Sequence, residues 1–167
     1  MLSFLFLTLS FLVNVQSQKA PEIAFGTVVL YHPSDVLVRR VPNVKEVAGF
    51  IEAISDSIKV RAIELSDAKK QEGAIIIAVK PDGQKSVWFS FPQELDAKTI
   101  ELIRDIVNKQ KPPKVQEGVF VYAQWIGLNG AAATGNSIPA PKEWLAAAKK
   151  SNRPLNTDEV IELSWQK

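Results

Sequence analysis

The chain has 167 residues, 46% hydrophobic and 23% charged, a balance that suits one globular domain and excludes a disordered or fibrous one. Lys and Arg exceed Asp and Glu by only 20 to 18, too little for a phosphate-binding face, so nucleic acid is not an expected partner. With no cysteine and one histidine the chain cannot form disulfides and lacks the ligands of a zinc site, so neither metal nor cofactor is expected.

Residues 1–17 (MLSFLFLTLSFLVNVQS) carry no charge and run from Leu2 to Val13 almost wholly in Leu, Phe and Val. A helix over that apolar run spans about 18 Å, short of the ~30 Å hydrocarbon core. The segment therefore reads as a signal peptide cleaved before Gln18, although without the usual N-terminal Lys or Arg, and no stable membrane anchor is expected. The remaining residues, 18–167, form a single expected domain. Without cysteine or an Asn-x-Ser/Thr sequon, it fits a bacterial periplasm or cell surface and must be held by its core alone.

Residues 25–31 (FGTVVLY) are a β-branched and aromatic run of strand length, followed by the turn formers His-Pro-Ser-Asp. Residues 36–41 (VLVRRV) are expected to return as a second strand, its paired arginines marking an exposed edge. Asn43 is a helix N-cap, and Val44, Val47, Ala48, Ile51, Ile54 and Ile58 recur at helical spacing over about four turns. Residues 60–65 (VRAIEL) read as a strand.

The isoleucine-rich run 74–79 has the pattern of a strand covered on both faces. Pro81-Asp82-Gly83 breaks it with turn chemistry, and residues 87–91 return as its hairpin partner. Asp96 caps a second amphipathic helix carrying Ile100, Ile103, Ile106 and Val107, which Pro112-Pro113 prevents from continuing. A last long strand is expected over residues 118–126.

This order predicts an α+β fold with a mainly antiparallel sheet and two amphipathic helices on one face. Residues 23–65 and 73–126 also read as two strand, strand, helix, strand units, with Gly26 answering Gly73 and Ile51 answering Ile100. Within the second unit, Asp82-Gly83, Leu95-Asp96, Arg104, Lys111-Pro112 and Gly118 punctuate a hairpin, a helix and a final strand. In these motifs residues 73–126 resemble the C-terminal domain of TonB-type energy transducers and related envelope proteins. The chain lacks that family's Pro-rich linker. The resemblance therefore implies a fold, an envelope location and a sheet edge able to accept a partner strand, and not energy transduction.

After Ile126 the composition changes to a small-residue loop, GLNGAAATGNSIPAP, whose Asn129 and Gly130 could let a ligand approach the backbone. Pro141 is expected at the first position of a helix over KEWLAAAKK. Asn156 and Glu159 form a capping box for a closing helix over residues 157–164, although IELSW also has strand character.

Two functional readings follow. In the first, the domain is a non-enzymatic envelope binding module for a protein, peptide or cell-wall polymer, acting through a sheet edge, the Gly-Ala loop or an aromatic platform of Trp88, Tyr122 and Trp125. In the second it is a small periplasmic hydrolase using His32, three residues before Asp35, as general base. A hydrolase requires the two to converge in a pocket, and a binding module requires an open edge or exposed aromatics. The usual phosphate-loop and nucleophile-elbow motifs do not occur, which favours the binding module.

Overall fold

A computed structural model describes residues 21–165; the expected signal peptide lies outside them. In chain order the elements are β1 (Ala24–Leu30), α1 (Ser34–Arg40), α2 (Val44–Val60), a 3₁₀ turn (Ala62–Leu65), β2 (Gln71–Val79), β3 (Lys85–Ser90), α3 (Ala97–Lys109), β4 (Phe120–Leu128), α4 (Lys142–Lys150) and α5 (Thr157–Ser164). The four strands form one antiparallel sheet in the order β1-β4-β2-β3, so the fold is α+β. Among the described residues no helix is long and apolar enough to cross a membrane.

β2 is interior in the sheet, pairing Ile76 with Trp88 of β3 on one side and with Ala123 of β4 on the other. Its side chains alternate between two separate cores, which is why its apolar run has no polar face. Ile75, Ile77 and Val79 join Tyr122, Phe50, Ile54 and Ile58 of α2, and Ile103 and Ile106 of α3. On the opposite face Ala74, Ile76 and Ala78 join Trp88, Trp144 of α4 and Ile161 of α5. The expected pair of helices on one face is present, and α4 and α5 cover the other. The alanines leave room for indoles: Trp88 packs edge-on to Trp144 at 5.4 Å and to Trp165 at 6.1 Å.

Local chemistry explains the boundaries. The β2–β3 hairpin closes at Lys80 and Gly83, whose φ of 81° an L side chain resists, while Asp82 accepts from the Gln84 amide at 3.0 Å. Asn43 and Asp96 cap α2 and α3 through the amides of Glu46 and Thr99, and the capping box of Asn156 and Glu159 opens α5. Pro141 is the N-cap of α4, one position earlier than expected.

Two expected strands are not strands. Residues 36–40 lie in α1, where the Pro33 carbonyl accepts from the amides of Val36 and Leu37, and Val41, its C-cap, is 5% exposed in the core. Residues 60–65 end α2 and form the 3₁₀ turn, burying Ala62 and Leu65 at a spacing of three while Val60 and Ile63 face solvent. The two halves thus do not share the expected strand, strand, helix, strand order. Both segments have β-branched residues, yet local propensity yields to the burial that the helical path allows.

Candidate functional site

The expected aromatic platform is not assembled. Trp88 and Tyr122 are 0% and 1% exposed and lie on opposite faces of the sheet. Trp125 shares the Trp88 face, but its indole nitrogen donates to the Ser137 carbonyl at 3.2 Å and its ring lies against Gly135 where a Cβ would fall. The long loop is a strap bound to the sheet.

Asn129 and Gly130 hold that strap at its start, through the Asn129 side chain and the Gly130 amide. Asn129 has a φ of 51°, and its amide side chain donates to the carbonyls of Ser66 and Ala68. Gly130 donates its amide to the Glu22 carbonyl at 2.9 Å. Further along, the Glu72 carboxylate accepts from the backbone amides of Thr134 and Gly135. Amides that side chains and carbonyls already occupy are not free to bind.

The expected pairing of His32 with Asp35 is also absent. Asp35 is exposed on α1, where it meets Arg39 at 3.4 Å. His32, at the end of β1 and nearly enclosed, places Nε2 3.1 Å from Asp158 Oδ1 and 2.9 Å from Arg40 Nη1. Nε2 cannot accept from Arg40 and donate to Asp158 at once, so the two arrangements exclude each other. Burial first, then the Arg40 guanidinium, hold the imidazole below its ordinary pKa against the pull of Asp158. Burial would raise Asp158, but hydrogen bonds and charge from Arg40 and His32 hold it below the usual carboxylate value.

Arg40 is the centre of this cluster. It bonds both oxygens of Asp158, at 2.8 and 2.5 Å, and donates to the Val119 carbonyl at 2.6 Å. The guanidinium lies against Gly118, and the Arg40 carbonyl accepts from Gln116. Its expected role as an exposed edge charge is therefore wrong: it ties α1, the turn before β4 and α5 together. With both Arg40 and Asp158 so engaged, the imidazole belongs to a structural clasp rather than a base aimed at a substrate.

An open feature lies elsewhere, at the C-terminal end of β3, a terminal strand of the sheet whose residues 86–88 are buried. A groove of about 480 Å³ is lined there by Phe89 and Phe91, by Ile100 and Arg104 of α3, and by Glu143 and Leu145 of α4. Arg104 lies over the Phe89 ring at 5.7 Å. A second groove, of about 630 Å³, continues from Glu143 between α4 and α5 to Leu163 and Trp165. A strand end beside such a groove can receive an extended chain by backbone hydrogen bonding, with side chains entering the groove.

Phe89 lies in the strand expected for it, but its partners across the groove carry no local sequence signal. Leu145 is 51% exposed within an otherwise ordinary amphipathic helix, and its position across from Ile100 depends on how α4 returns over the sheet. Asp158 was equally hidden, because no motif spacing joins residues 126 positions apart. The only available signal was FSF at residues 89–91, two aromatics of one strand directed to the same face. Comparisons with protein-family models, curated proteins and solved structures find no match to this chain.

Proposed function

We propose that the protein is an exported, non-enzymatic binding module of the cell envelope that takes an extended peptide segment of a partner protein at the open C-terminal end of β3. One observation carries this reading: an open groove at the C-terminal end of β3, a terminal strand, lined by Phe89, Phe91, Ile100 and Leu145. Backbone pairing supplies affinity in such a site, and side-chain pockets supply selectivity. A cell-wall polymer is less well served, since sugar rings stack on exposed aromatic faces and Trp88 and Tyr122 are buried. Export rests on the uncharged apolar segment 1–17, and the likeness of residues 73–126 to TonB-type C-terminal domains supports the same location.

The test is selection of linear peptides from a random display library, followed by amide exchange on the complex. Protection concentrated in residues 89–91, with binding lost in Leu145→Lys, is the expected result. Peptides that protect other strands, or a library that yields no binder, would overturn the proposal.

A further inference from the structure

We infer that the opposite edge of the sheet, β1, is a homodimer interface in which two copies pair antiparallel about a two-fold axis at Val29. β1 is the other terminal strand. Its sequence, AFGTVVL, has no charged residue and no proline, in a chain that is 23% charged. Exposed strand edges that must remain single are ordinarily guarded by charges, prolines or short length. A bulge between Phe25 and Val28 guards only the first part, leaving residues 28–30 in regular pairing with β4.

The side chains point to the same conclusion. Val28 and Leu30 are 37% and 44% exposed, on the sheet face that α2 covers elsewhere. Leu30 borders a hollow of about 190 Å³ whose lining includes Leu37, Val38, Val44, Val47 and Phe120 and no charged residue. Val38 and Val44 face solvent at 64% and 72%. Four of the nine large apolar side chains exposed among the described residues therefore form one surface: Val28, Leu30, Val38 and Val44. Contiguous apolar surface of this kind marks an interaction site more often than a solvated face.

A second copy fits this surface in particular. Antiparallel pairing of a strand with itself is isologous, and an uncharged patch meets its own image without opposing like charges. Directly opposed residues of an antiparallel pair share a sheet face. With Val29 on the axis, Val28 opposes Leu30 of the second copy, Leu30 opposes Val28, and the two sheets become one of eight strands. A stable interface removes roughly 800 Å² from each partner, more than a short strand edge supplies. The shoulder formed by Val38 and Val44 must join it, and it lies beside Leu30, where the two-fold would place it against the second copy.

The absence of native cysteine gives a clean test on the purified protein. Sedimentation equilibrium should give twice the protomer mass for the wild type and the protomer mass for Leu30→Lys, with tryptophan near-UV dichroism unchanged. Val29→Cys should oxidise to a covalent dimer at least tenfold faster than Leu163→Cys, whose position is exposed on α5. A monomeric wild type overturns the inference. So does a dimer that Leu30→Lys leaves intact, which would assign association to residues 1–20 or to another surface. If Leu30→Lys loses its dichroism, the cysteine comparison decides, and equal rates for the two positions reject the interface.

Discussion

Arg40 and Asp158, 118 positions apart, meet through two parallel hydrogen bonds, Nη1 to Oδ1 at 2.8 Å and Nη2 to Oδ2 at 2.5 Å. The pair fastens α5 to the end of α1, and Arg40 extends the fastening to the turn before β4 through the Val119 carbonyl.

Replacing Arg40 with Leu removes the fork, leaves the Val119 carbonyl without its side-chain donor and leaves Asp158 with His32 alone. Asp158 keeps some access to water, so a destabilisation of about 1–3 kcal/mol is expected, less than for a fully enclosed pair. Arg40→Lys should recover little of it, because an ammonium cannot reproduce the two-point contact. Urea unfolding of the three proteins measures both differences.

His32 makes stability depend on pH in a defined direction. Its folded pKa is lowered from 6.5, so below that value the unfolded chain binds more protons. The contribution is fully present above pH 6.5, falls as pH drops toward the folded pKa, and is constant below it. Asp158, also lowered, adds a separate loss as the pH falls below about 3.8. Urea midpoints between pH 7.5 and 5 should decline in the wild type and decline less in His32→Asn. Equal slopes would remove His32 from the account.

Trp88 is 0% exposed, bounded by Trp144 and Trp165, and its indole nitrogen donates to the Ser164 carbonyl at 3.2 Å. Trp88→Ala is expected to lower stability by about 3–5 kcal/mol, as cavity formation adds to lost transfer energy. Trp88→Phe should lose less, since a ring still fills part of the space. Calorimetric melting of both variants tests this order.

Glu72 tethers the strap through the amides of Thr134 and Gly135. In Glu72→Ala these amides lose their acceptor, and residues 131–138 should exchange at least tenfold faster while β2 and β4 stay protected. Global stability should fall by about 1 kcal/mol, because the strap is surface structure with few buried groups. Hydrogen exchange read residue by residue separates local opening from general loosening.

Where side chains encode structure over a few residues, the sequence was a reliable guide. Asp82-Gly83 had to turn, because glycine tolerates the positive φ that the hairpin needs. Asn43, Asp96 and Asn156 had to open helices, because each carries an acceptor within reach of amides one turn on. The run 74–79 had to be covered on both sides, because it offers no polar face to water.

Only the tertiary structure decided the rest. Val36 and Val38 favour strands intrinsically, yet the helical path of α1 packs Leu37 against the core, leads to buried Val41 and brings Arg40 to Asp158. The same holds for function. Whether an aromatic is platform or core, and which strand edge remains open, depends on how elements distant in sequence return over the sheet. Contacts across a hundred residues arise from the packing of whole faces, and no short spacing in the chain records them.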